Sequence, residues 1–335
     1  MLLLEKYRYA LYTLTDEYEK PLHILDLFYN NSNILIHGPK KSGKYNFLMH
    51  YFKNILQYDI KLNTVATKLH DIEIEYEVNT HFFVMNPYLY GYNDKTVISV
   101  LVKEISSTYD IVNKTRKIII IKNVDKLSRE AISSLRVIIE KNYRTCIFIL
   151  LSNNISRMTG PILSRCSLIR LQAPSSDSID KVCNHIVTFE KIKIPIKKLD
   201  IIKATKTHIH TILLLIEYYS IFKKCTKIVN YEEYWSNKII ECIVKTPIDL
   251  DNIHKIRDII SNIIHNNIDI HDIFIYIIYY FINDMKKNND TIHTLLDFAQ
   301  EYQMNSVKGN RDFLHIEAFI IHVYVIYHNN TKLKV

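Results

Sequence analysis

Residues 33–45 read NILIHGPKKSGKY: a short apolar run, a Gly-Pro stop, then a second glycine and a lysine where a helical pattern begins. Asn33 to His37 has the length and composition of a buried strand, and Gly38-Pro39 turns it into a loop. From Tyr45 to Leu56 the apolar positions recur with helical spacing. Gly38 to Tyr45 fits G-x-x-x-x-G-K between a strand and a helix, the context in which that pattern carries information. Gly38 and Gly43 permit turns tight enough to aim backbone N–H groups at phosphate oxygens, and Lys44 can reach terminal phosphates. The candidate nucleotide cradle is therefore Gly38, Pro39, Lys40, Lys41, Ser42, Gly43, Lys44 and Tyr45.

Downstream, residues 81–85 (HFFVM), 117–121 (KIIII) and 146–151 (CIFILL) read as further strands, with helical patterns at 95–107 and 128–141 between them. The four isoleucines at 118–121 suit a strand buried on both faces. Strand–helix alternation predicts a parallel sheet covered on both faces. After Ala173-Pro174 the strand signals stop. The expected organisation is an α/β P-loop domain over 1–174, a small three-helix module over 175–228, and a helical C-terminal domain over 229–335. The last includes helices near 253–264, 273–285 and 313–327.

Composition supports this division. A chain of 335 residues is long enough for two or three cores, and 48% hydrophobic residues can fill them. With 5 glycines and 7 prolines it is too poor in turn residues for a β-sandwich. The net charge of +8 fits a polyanionic partner. Five dispersed cysteines, with no C-x-x-C pair, suit reduced thiols in an intracellular protein and no zinc site. The start, MLLLEKYRYALY, meets charge at Glu5, Lys6 and Arg8 and is not expected to be a signal peptide. The apolar run 273–282 is too short to span a bilayer. The 24 tyrosines, with many Ile, Asn and Lys, suit an AT-rich genome such as that of a large DNA virus or a protist.

The phosphate site departs from an active ATPase in several places. Tyr45 stands where Ser or Thr would give a hydroxyl to Mg²⁺, and a phenol oxygen lies too far from the backbone for that place. At the end of strand 117–121, where carboxylates would hold the metal's water shell and activate the attacking water, the chain has Lys122 and Asn123. Asp125 follows and reads as a cap for the helix starting near Ser128. ATP or ADP would then bind weakly or structurally, held by backbone N–H groups and Lys44, with metal placement compromised.

From Lys122 to Ser175 the sequence KNVDKLSREAISSLRVIIEKNYRTCIFILLSNNISRMTGPILSRCSLIRLQAPS resembles eukaryotic replication factor C small subunits, AAA+ proteins of the sliding-clamp loader. LEKYR at 4–8, with Tyr7 and Arg8, is similar to that family's N-terminal box, Tyr9 replacing its proline. HIEAFIIHVYVIY at 315–327 resembles the collar segment of the last-position, delta-prime-like subunit. The resemblance implies that Arg165, in the Ser-Arg-Cys block, is an arginine finger acting on a neighbouring subunit's ATP. It also implies that Asn153 is the sensor-1 residue and that His210 replaces the sensor-2 arginine. Tyr7 and Arg8 would lie beside the nucleotide, Arg136 and Lys141 would face DNA phosphates, and Ile105 and Tyr109 would touch the clamp from one helical face.

The expectation is a non-hydrolysing or weakly active subunit. Its partners would be other loader subunits in a hetero-pentamer, a PCNA-like sliding clamp and primer–template DNA, with no membrane. It would work in a nucleus or at a viral replication site. An ATPase active in its own right, or a DNA-bridging adaptor outside a pentamer, are the competing functions.

Overall fold

The computed structural model describes residues 3–29, 31–40, 42–69, 72–109, 115–192, 212–213, 216–217, 220–221, 231–245, 250–265, 270–284, 289–308 and 312–332. The chain divides into two compact units, Met1–Thr226 and Lys227–Val335.

Among the described residues the first unit is built on seven strands: β1 (Asn33–His37), β2 (Asn63–Leu69), β3 (Ile72–Val78), β4 (Phe82–Met85), β5 (Lys117–Ile121), β6 (Cys146–Ser152) and β7 (Cys166–Arg170). Their order across the sheet is β2-β3-β4-β5-β6-β1-β7. β4, β5, β6, β1 and β7 run parallel. β2 and β3 pair antiparallel to each other, and β3 antiparallel to β4. The sheet is therefore mixed where a parallel one was expected. The antiparallel β2–β3 hairpin had no counterpart in the sequence reading, and neither had β7. β2 is largely exposed, so it lacks the apolar run that marks a buried strand.

Alternation along the central strands buries both faces. Leu35, Ile119, Ile121, Phe148 and Leu150 belong to one core, into which Leu135, Ile138 and Ile139 pack from a helix. Ile34, Ile36, Ile118, Ile120, Ile147 and Ile149 point to the opposite face and are equally buried. β1 lies between β6 and β7, so the loop that follows it opens between two parallel neighbours.

The helices that bear on the site are α1 (Glu19–Phe28), α2 (Lys44–His50), α3 (Arg129–Lys141), α4 (Gly160–Leu163) and α5 (Ser176–Phe189). α3 starts where its capping chemistry says it should. Ser128 Oγ accepts from the Ala131 N–H at 3.1 Å, and the Asp94 carboxylate accepts from Ser128 N and Oγ at 2.6 and 2.9 Å. The expected capping role of Asp125 is thus corrected: Ser128 is the cap, and Asp94, from a distant segment, holds Ser128 in place. The helical stretch over 94–107 ends at Ser107, and Thr108 is extended at φ −104°, ψ 140°. Ile105 and Tyr109 consequently share no helical face. Ile105 packs against the core, and Tyr109 is exposed.

The second unit contains five described helices: α6 (Tyr231–Lys245), α7 (Leu250–His265), α8 (Ile270–Asp284), α9 (Asn289–Lys308) and α10 (Asp312–Lys332). Ile273, Ile277 and Phe281 of α8, spaced four apart, form a buried stripe against Ile239, Ile260 and Phe319. Arg257 Nε meets Glu317 Oε1 at 2.6 Å, satisfying a carboxylate that is otherwise buried. Of the expected three-helix module over 175–228, α5 is described; most of 193–230, His210 included, lies outside the described residues.

Candidate functional site: the phosphate loop and the two ends of the sheet

The loop 38–45 leaves β1 and enters α2 at the C-terminal edge of the parallel strands, where ligands of open α/β sheets bind. Both glycines are required. A Cβ on Gly38 would collide with the Leu171 carbonyl oxygen, while Gly43 sits at φ +81° with the Tyr12 hydroxyl against it. That hydroxyl donates to the Gly43 carbonyl at 2.8 Å, and the Tyr12 ring packs on Tyr18 and Phe47. Tyr12 is thus a scaffold for the loop. Its signal, one tyrosine among many near the N-terminus, was not separable by sequence.

Lys44 Nζ donates to the carbonyls of Gly38 at 2.9 Å and Pro39 at 2.7 Å, and to Ser42 Oγ at 3.4 Å. Burial pushes its pKa down to about 8, with Asp125 opposing the shift. Asp125 accordingly belongs to this site. Its Oδ1 also accepts from Asn153 N–H at 3.0 Å. The side chain of Asn153 reaches Asn123 Oδ1 at 3.5 Å, and Asn123 in turn reaches Asn86 at 3.4 Å. Three neutral amides therefore line the ends of β4, β5 and β6. An amide does not take a proton from water near neutral pH, so no general base stands on this row. Asn123 holds φ +55°, a left-handed conformation in which asparagine is among the better tolerated residues.

Arg8 Nε donates to Asn46 Oδ1 at 3.0 Å, placing it beside the first turn of α2. Tyr7 instead donates to Glu190 at 2.6 Å, just past α5, and the same carboxylate takes Lys6 at 2.6 Å. Burial and that carboxylate push the Tyr7 phenol up to about 12. Pro39, Lys40, Ser42 and Lys44 sit in the loop as expected; Lys41 lies outside the described residues.

The place of a metal was tested on its donor set. Tyr45 Oη donates to Glu77 Oε2 at 3.2 Å. Lys122 Nζ lies 3.9 Å from the Tyr45 ring centroid and 3.5 Å from the same Glu77 oxygen. An ammonium thus stands where carboxylates would gather Mg²⁺. A positive charge among the would-be ligands repels a dication instead of holding it. These residues do not fit Mg²⁺.

Arg165 sits at the other end of the sheet. Cys166 pairs with Asn33 and Arg170 with His37, so Arg165 lies off the N-terminal edge while the loop lies off the C-terminal one. One strand length of about 16 Å separates those edges at ~3.3 Å per residue. Arg165 cannot reach its own phosphate loop. Its Nε pairs with Glu140 at 2.8 Å, and Nη1 donates to Pro161 O at 2.6 Å and Ser164 Oγ at 3.1 Å. Glu140, in the last turn of α3, had not been singled out in the sequence. Arg136 lies 3.8 Å from the same carboxylate, and Lys141 is exposed at the end of α3.

Comparison with known proteins bears on this arrangement. The family model for the DNA polymerase III delta subunit matches residues 30–175. Replication factor C subunit 5 of Oryza sativa subsp. japonica is 33% identical over 49% of each chain. A probable replication factor C subunit 3 of Dictyostelium discoideum is 29% identical over 63% of this chain and 65% of its own. Over about half of its length the chain is similar to replication factor C small subunits. A putative replication factor C small subunit of Acanthamoeba polyphaga mimivirus is also related, at 28% identity over 48% of this chain and 46% of its own. The chain spans about half the length of the first curated replication factor C relatives it matches. Among solved structures, a DNA polymerase III gamma subunit-related protein of Thermotoga maritima covers 92% of this chain and 98% of its own at 10% identity, with a TM-score of 0.43. A likeness that loose carries nothing about function. The matched residues 30–175 take in the strand–P-loop–helix unit of β1, loop 38–45 and α2 together with the strands that follow it. Among the described residues no helix is long and apolar enough to cross a membrane.

Proposed function

We propose that this chain is a clamp-loader small subunit that does not hydrolyse ATP itself and supplies Arg165 to the ATP of a neighbouring subunit. The observation that carries the reading is the separation of Arg165 from its own phosphate loop by the length of β1 and β7. If a permanently charged guanidinium at that edge serves a phosphate, it is one bound by another chain. The local site supports the other half of the reading. Tyr45, Lys122 and Asn123 replace the metal's hydroxyl and both carboxylates, so ATP or ADP held by Gly38–Tyr45 would act as a structural ligand.

Arg8, beside α2, lies where it can meet the nucleotide, and Tyr7 ties the N-terminal segment to the residue after α5. Asn153 keeps the sensor-1 place but finds Asn123 in place of a carboxylate. Lys141, exposed at the end of α3, and Arg136 are the cations offered to primer–template DNA, through phosphate contacts without base readout. Exposed Tyr109 is left as the clamp-facing residue of the pair. The divisions 1–174, 175–228 and 229–335 correspond to ATPase domain, lid and collar.

The test is a pull-down of the full chain from its source with mass spectrometry. Recovery of several related chains with intact G-x-x-x-x-G-K-[ST] loops and of a ring-shaped clamp is expected. Recovery of the chain as a stable monomer, or with DNA-binding factors unrelated to it, contradicts the reading.

A further inference from the structure

The contacts of Lys122 are more specific than a lost metal site requires. Its backbone N–H donates to Met85 O at 2.9 Å, fixing the residue at the end of β5. Its ammonium sits 3.9 Å from the ring centroid of Tyr45, the residue directly after the phosphate-loop lysine. Glu77 is the third member. It enters from β3, in register with Val84 of β4, and its Oε2 lies 3.2 Å from Tyr45 Oη and 3.5 Å from Lys122 Nζ. The tyrosine that removed the metal's hydroxyl thus provides an aromatic face for a cation. The two departures from the motif are in contact and compensate each other chemically.

A bound nucleoside polyphosphate carries several negative charges, which Mg²⁺ and the loop lysine normally share. Here the cations at the loop and the first turn of α2 are Lys44 on the Gly38 and Pro39 carbonyls, Lys122 on the Tyr45 ring, and Arg8 on Asn46. At 3.5 Å, the pair between Lys122 and Glu77 is a long one for charged partners, with the two side chains 26% and 38% exposed. It can loosen when a phosphate arrives, while the ring still guides the ammonium. Burial disfavours the charged form of Lys122 in the free chain, and an anion alongside would restore it.

We propose that Lys122 is a tethered cation that serves the bound nucleotide in place of Mg²⁺, so that the loop takes metal-free ADP or ATP. The inference rests on the reading that residues 38–45 hold a nucleotide and goes beyond it by naming the group that replaces the metal.

The experiment measures ADP binding to the full chain by calorimetry, in EDTA and in Mg²⁺. The unaltered chain is expected to bind equally well in both. Lys122→Met should weaken binding in EDTA by about tenfold, the loss of one charge-assisted contact, and Lys122→Arg should retain most of the affinity. Tyr45→Thr combined with Lys122→Asp should bring back metal dependence, with tighter binding in Mg²⁺ than in EDTA. Thermal melting without nucleotide separates a folding defect from a binding one. If Lys122→Met misfolds, the Arg and Thr/Asp variants carry the test. Binding by the unaltered chain that tightens tenfold on adding Mg²⁺ overturns the proposal, as does a folded Lys122→Met that binds normally in EDTA. Absence of ADP and ATP binding under either condition also overturns it, yet leaves the role of Arg165 in trans standing, because that role needs no nucleotide here.

Discussion

Glu140→Ala is the perturbation that best probes how Arg165 is held. In the free chain Glu140 binds Arg165 Nε at 2.8 Å, with the two side chains 40% and 37% exposed. A pair so open to water is worth about 0–1 kcal/mol, which converts to a factor of no more than ~5 in an equilibrium. Drawing Arg165 off Glu140 toward a neighbour's phosphate therefore costs little, and Glu140→Ala removes that cost. The variant should lose no more than ~1 kcal/mol in unfolding free energy, read by chemical denaturation of the chain. In the assembled complex, steady-state phosphate release should stay level or rise by up to about fivefold at the site that Arg165 serves. A fall of tenfold or more with assembly intact would refute the reasoning. It would mean that Glu140 orients the guanidinium for use and does not merely store it.

Two further outcomes follow from the geometry of the local site. The isolated chain should show no Mg²⁺-dependent ATP turnover, since metal hydroxyl and both carboxylates are replaced; phosphate release near roughly 1 s⁻¹, an ordinary enzyme rate, would contradict this. Lys44 has its folded pKa depressed to about 8, below its unfolded value, so the unfolded chain binds more protons between the two. Unfolding free energy should therefore rise as pH increases from about 8 towards 10, while ADP affinity falls over the same window because the ligand needs the ammonium charged. Denaturation and calorimetry at pH 7, 8.5 and 9.5 check both; an ADP affinity flat across that range would show that Lys44 does not contact phosphate.

The parts of the fold that were legible in the sequence are those in which local signal and burial agree. The isoleucine run of β5 and the Gly-Pro stop after β1 have no competing reading, and the helical stripe through Leu135, Ile138 and Ile139 is equally clear. The hairpin β2–β3 escaped because residues 63–69 are mostly solvated and carry no apolar run, so their strand character comes from pairing with β3 and not from composition. Helix caps and charge partners were harder still. Asp94 braces the α3 cap residue Ser128 across 34 residues of sequence, and Glu140 meets Arg165 across 25 residues and a change of element. In sequence Asp125 stands nearest the start of the helix three residues on, whereas the fold turns it towards Lys44 and Asn153. The departures at Tyr45 and Lys122 were each visible as a loss. Only contact in space shows that one is built on the other.

The central claim is that this chain works on a neighbour's ATP and not on its own. The most direct measurement compares Arg165→Ala and Lys44→Ala, each assembled with the partner subunits, for phosphate release under single-turnover conditions. Arg165→Ala should leave assembly intact and slow one neighbouring site by about 10³–10⁵, the range an arginine finger supplies, so that total release falls by that site's share. Lys44→Ala should leave release close to the unaltered level. Loss of release with Lys44→Ala and none with Arg165→Ala would contradict the account and make the chain an ATPase in its own right.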